Sequence, residues 1–138
     1  MHTIPVTILD NFFDDPDSIR KWALEQEYFP AEDGQWPGVR TKPLYEINPG
    51  LNEVLCHRYF NLFFDLRLGE PINWTVDARF QLADKNCGQG WVHTDNDSGM
   101  TAVIYLTPNP NPESGTSIYA RKSGVVYPPA FELNKIKN

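Results

Sequence analysis

The stretch "GQGWVHTDNDSG", residues 88–99, places His93 and Asp95 two positions apart in a chain with only three histidines. In an extended strand side chains alternate, so His93 and Asp95 point to one side while Val92 and Thr94 point to the other. One imidazole and one carboxylate on a common face make two members of a 2-His-1-carboxylate set, the arrangement that holds Fe(II) and leaves positions open for other ligands. The spacing by itself is a weak signal. A polar strand end beside an Asx turn at Asn96–Asp97 has the same residues for a different reason.

Few other residues compete for this role. His57 falls on an expected helix between Cys56 and Arg58, where a surface or packing role suits it, and His2 adjoins the initiating methionine. Asp97 follows Asp95 by two, but the turn residues "NDSG" direct it away from the pair. Arg40, Arg79 and Arg121 can each meet a carboxylate if turned inward, with Arg40 in "PGVRT" able to reach over a pocket mouth; exposure is the ordinary state of arginine. Trp91 shares the His93 face of an extended strand and can wall the site, while Gly88, Gly90 and Gly99 suit tight connections at its ends. No Ser-His-Asp or Cys-His arrangement is persuasive, since Cys87 is six residues from His93 with turn glycines between, and the sequence has no phosphate-cradling glycine loop.

The elements that would position the pair are legible in outline. In "DDPDSIRKWALEQEYF" Pro16 suits the first helical position and Asp17 the first turn, while Ile19, Trp22, Ala23 and Gln26 share a face, predicting an amphipathic helix to about Glu27. The segment "FPAEDGQWPGVRTKPLYEINPG" is dense in proline and glycine and reads as a long connection, with a short extended piece at Leu44–Ile47. In "LNEVLCHRYFNLFFDLRLG" the apolar residues Leu51, Val54, Leu55, Tyr59, Leu62, Phe63 and Leu66 predict a helix with a stripe wide enough to pack on a sheet. From Ile72 onward the pattern changes to period two, in "NWTVDARFQLA", "GWVHTD", "MTAVIYLTP", "TSIYARK" and "GVVYPP", with turns between.

The glycine-rich approach "CGQGW", the HxD, the apolar run "TAVIYLTP", a Pro/Asn loop and "SGTSIYARK" follow one another in an order that resembles the Fe(II)- and 2-oxoglutarate-dependent oxygenases of the prolyl-hydroxylase-like group. The opening "LDNFFDDPDSIRKWALEQEYFP" and "WPGVRT" look like a phage and marine-microbial branch of that group. The resemblance implies a mainly β, α+β domain: a double-stranded β-helix, or jelly roll, with N-terminal helices packed on one sheet. It implies one domain over residues 1–138, with a helical part and long loop at 1–70 and the first core strands at 71–138. It makes His93 and Asp95 ligands of Fe(II), with 2-oxoglutarate as co-substrate and hydroxylation of a C–H bond as the reaction. Tyr105 and Tyr119 are then candidates to approach the co-substrate, against the alternative of aromatic core packing.

The chain also departs from that family. No histidine follows Asp95, whereas the family places its second ligand histidine, and then a basic residue that anchors the co-substrate, several strands later. The jelly roll is therefore expected to be incomplete, as if C-terminally truncated, and this chain alone inactive or nearly so. Dimerisation or strand exchange would cover the sheet edges that such a loss exposes. The alternative from another class is a non-catalytic jelly-roll module for binding or assembly.

Composition limits the remaining classes. The net charge is −6, which opposes the phosphate contacts that drive nucleic-acid binding, so no nucleic-acid partner is expected. No apolar run approaches a membrane span and the N-terminus lacks a signal-peptide pattern, giving a cytoplasmic expectation with no membrane partner. Cys56 and Cys87 are the only cysteines and are expected to be free thiols.

Overall fold

In a computed structural model of the chain, the residues described are 6–32, 36–68, 73–84, 87, 93, 95 and 99–119. They belong to two compact units, Asp15–Gly90 and a second one made of Met1–Asp14 with Trp91–Asn138.

The unit Asp15–Gly90 opens with helix α1, Pro16–Leu24. Asp15 caps it: its carboxylate accepts the backbone N–H of Ser18 at 3.0 Å and also the Ser18 hydroxyl, which satisfies a donor that has no partner inside the helix. Ile19, Trp22, Ala23 and Gln26 form the inward face, with Ala23 buried. The helix stops at Leu24, short of the expected Glu27. Its last carbonyls accept backbone N–H groups only three residues on, Glu25 to Trp22 at 3.2 Å and Gln26 to Ala23 at 3.1 Å, and side chains add to them, Gln26 Nε2 on the Trp22 carbonyl at 2.9 Å and the Tyr28 hydroxyl on that of Ala23 at 3.0 Å.

The hydrogen bonds from Ser18 hold the Asp15 carboxyl below its ordinary value. A carboxyl with a lowered folded-state pKa contributes stability above its unfolded pKa and loses it as the pH falls through the folded one. The N-terminus of α1 should therefore fray below about pH 4. The amide resonance of Ser18 followed through an acid titration checks this, and Asp15→Ala should remove the transition.

Next come strands β1, Phe29–Pro30, and β2, Val39–Arg40; the third, β3, is Gln81–Leu82. They form one antiparallel sheet in the order β1-β2-β3, with Phe29 opposite Arg40 and Arg40 opposite Gln81. Between β2 and β3 lie α2, Leu44–Ile47, and α3, Pro49–Phe60, followed by a 3-10 turn at Leu66–Leu68. Leu44–Ile47 is thus helical rather than extended: Pro43 sets its first turn, the N–H groups of Glu46 and Ile47 both return to the Pro43 carbonyl, and Asn48 closes it. Asn48 then serves as the cap of α3, accepting the Leu51 N–H at 3.0 Å, with Pro49 in the first turn.

The jelly roll with helices laid on one sheet is not what forms. The described residues make a mixed α/β arrangement with three short antiparallel strands in an open sheet. Two of those strands come from the Pro/Gly-rich connection, and α3 packs chiefly on α2. Alternation of side-chain type is not enough to make a sheet; backbone partners are needed. Residues 100–107 and 116–119 show no strand pairing among the described residues, whereas the stretch before β3 is tied to residues 41–44. Much of "GWVHTD", Arg121 and all of "GVVYPP" lie outside the described residues. Helix α3 also ends earlier than its periodicity suggests. Leu62 and Phe63 N–H groups bond back three residues to Tyr59 and Phe60, which tightens the chain out of the helix. Cys56 and Phe60 are buried, while Val54, Leu62 and Phe63 of the expected stripe are exposed.

The core of this unit joins Ala23, Leu44, Cys56 and Phe60, with Trp74 stacked on Phe60 at 4.3 Å and Trp22 edge-on to Phe80 at 5.9 Å. Thr41, at 1% exposure, is the most buried polar residue among those described. Its N–H donates to the Phe80 carbonyl at 3.0 Å, its hydroxyl accepts the Phe80 N–H at 3.1 Å, and that hydroxyl donates to the Lys42 carbonyl at 2.8 Å. The side chain thereby carries the β2–β3 ladder one rung further. Thr41→Val keeps the shape and removes the hydroxyl, leaving the Phe80 N–H without this acceptor, so it should cost about 1–3 kcal/mol. Chemical denaturation checks the value, and Thr41→Ser should recover most of it.

In the other unit Phe13 is buried and meets Phe12 edge-on at 4.9 Å. The "NPNPESG" segment forms the expected turn: the Asn111 side chain accepts the Glu113 N–H at 3.0 Å and its carbonyl accepts the Ser114 N–H at 2.8 Å.

Candidate functional site

His93 and Asp95 both belong to the unit that contains Trp91–Asn138. His93 Nε2 lies 3.4 Å from Asp95 Oδ1, with the two side chains 52% and 43% exposed. That separation is longer than a well-formed N–H···O bond. Two donors this far apart can each sit about 2.1 Å from a single ion, subtending about 110° there; an octahedral pair at 90° would need them closer by about 0.4 Å. The imidazole and carboxylate are therefore brought together as the HxD spacing suggests, and as a pair they fit two neighbouring positions of a divalent metal. Among the described residues no group of three His, Cys, Asp or Glu side chains is placed to hold a metal.

Several of the other candidates have partners of their own. The Tyr105 hydroxyl donates to Thr116 Oγ1 at 2.8 Å, and Tyr105 and Tyr119 are both exposed, at 60% and 65%. Neither is core packing. His57 lies on α3, 3.9 Å from Glu53 one turn earlier. Arg79 grips Asp77 in a two-pronged contact at 2.8 and 3.1 Å, which raises its already high pKa. Arg40 stacks 4.5 Å above the Trp36 ring and donates through Nε to Gln81 Oε1 at 2.9 Å. His2, Trp91, Asp97, Arg121, Gly88 and Gly90 lie outside the described residues.

The two thiols differ in setting. Burial pushes the Cys56 thiol up, which opposes the thiolate a nucleophile needs despite the neighbouring His57. Cys87 donates to Asp84 Oδ1 at 3.3 Å and accepts the Asp84 N–H at 3.2 Å, closing a turn. Both are free thiols. The Asp77–Arg79 contact was open to discovery from sequence, since residues two apart on an extended chain share a face. Asp65 and Arg67 also pair at 2.8 Å, but by a different route: Arg67 lies in the 3-10 turn Leu66–Leu68, and its N–H also returns to the Asp65 carboxylate at 3.1 Å.

Fold and site define a small mixed α/β protein that presents an exposed HxD pair of potential metal donors. The chain belongs to the Family of unknown function (DUF6445), whose profile matches residues 1–126. No curated protein and no solved structure matches it.

Proposed function

We propose that His93 and Asp95 are two ligands of a divalent metal site, with Fe(II) as the resident ion and 2-oxoglutarate as its co-substrate, so that the chain carries half of an oxygenase centre. The observation that supports this reading is the 3.4 Å approach of His93 Nε2 to Asp95 Oδ1, from which a closing movement of about 0.4 Å would bring the two to neighbouring positions of an octahedral ion. With Fe(II) and 2-oxoglutarate bound, such a centre would use dioxygen to hydroxylate a C–H bond, one oxygen atom entering the new hydroxyl and the other the succinate formed from 2-oxoglutarate with release of carbon dioxide. The role of the chain is to hold and orient. His93 offers a neutral nitrogen lone pair, and Asp95 offers an anionic oxygen that offsets part of the ion's charge.

A third donor and a basic group for the far carboxylate of 2-oxoglutarate have to come from beyond the pair. Without them, metal binding by this chain is expected to be weak and turnover negligible. Two half-exposed side chains compete with water for the ion, and the co-substrate lacks a charge-assisted anchor. Titration of the chain with Mn(II), read by the relaxation of water protons and by broadening of the His93 ring resonances, tests the proposal. Saturable broadening centred on His93 is the expected result. Broadening spread over the acidic surface, with His93 unaffected, would remove its basis.

The same 3.4 Å also suits a solvent-exposed His–Asp ion pair, and the described residues add no third donor. That favours, as the second reading, a non-catalytic module for binding or assembly. It expects no thermal stabilisation by Fe(II) or Mn(II), with or without 2-oxoglutarate, whereas a ligand that binds only the folded chain raises its melting temperature.

A further inference from the structure

We draw no further inference here: the strongest candidate, the exposed apolar patch where α3 ends, formed by Leu62, Phe63 and Phe64 beside the open groove that reaches Arg67, carries nothing because nothing in the structure shows what covers it.

Discussion

Replacing His93 with alanine should lower Mn(II) affinity by about 100-fold or more, since even the outer-shell partners of metal ligands are worth about 10–100-fold and His93 would be a ligand itself. The expectation follows from the small size of the half-site. Two donors 3.4 Å apart hold an ion largely because both act on it at once, so removal of either leaves a single side chain in competition with solvent. Asp95→Ala should weaken binding by a similar factor. Asp95→Asn separates charge from geometry, because the amide oxygen can occupy the same position without the negative charge; it should fall between the wild type and the alanine variant. Electron paramagnetic resonance of free Mn(II) measures all three affinities directly. The side chains are about half exposed, so the variants should keep the wild-type melting temperature in the absence of metal, and a loss of affinity cannot then be assigned to unfolding. Wild-type affinity in the His93→Ala, Asp95→Ala double variant would show that the ion sits elsewhere, and the oxygenase reading would lose its footing.

The candidate pair was legible because its signal is local. A two-residue spacing needs only the direction of neighbouring side chains, and no knowledge of distant parts of the chain. The third donor is a different matter, since ligands brought together from separate elements leave no periodic trace. The fold divides along the same line. Helix α1 is announced by Pro16 and Asp17, which act within one turn, and α3 by its apolar spacing, whereas Asn48 and Pro49, which start it, read as part of the connection before it. The sheet is not announced, because β1, β2 and β3 are each two residues long. A ladder of that length has no alternation to detect, and its register depends on a partner about 40 residues away, as Arg40 and Gln81 show. The residues before β3 do alternate, with Val76, Ala78 and Phe80 turned inward. That run pairs as a strand only at Gln81–Leu82, and the jelly roll that the family resemblance implied required strand partners that the chain does not provide among the described residues. The apolar spacing of 51–66 misled in the opposite sense, since it continues past Phe60 while the N–H groups of Leu62 and Phe63 turn back only three residues and the helix ends.

That dependence of the sheet on one close approach sets up the other large effect. Gly38→Ala should destabilise the unit Asp15–Gly90 by about 2–5 kcal/mol, combining left-handed backbone cost with overpacking. Gly38 has φ +75°, a conformation that a side chain disfavours, and a Cβ there would stand 2.0 Å from the Leu82 carbonyl oxygen and 3.1 Å from the Ala83 Cα. Both obstacles are backbone, so no rotamer change relieves them. The chain can accept a methyl group only if β3 moves away from β2. Such a shift strains the Gln81 bridge, in which Nε2 donates to the Pro37 carbonyl at 2.8 Å while Oε1 accepts from Arg40. It also pulls at the Thr41–Phe80 exchange that extends the ladder. A loss of that size is a large fraction of the stability of a small domain. Thermal and urea denaturation measure it, and amide exchange at Thr41 and Phe80 reports whether the ladder is what opens. Gly38→Asn distinguishes the two causes, because asparagine tolerates a positive φ better than alanine but carries the same Cβ. If close contact dominates, the asparagine variant should be damaged nearly as much as alanine; near-native stability would assign the cost to backbone conformation and show that β3 yields readily. Wild-type stability in both variants would overturn the packing of Gly38 against Leu82.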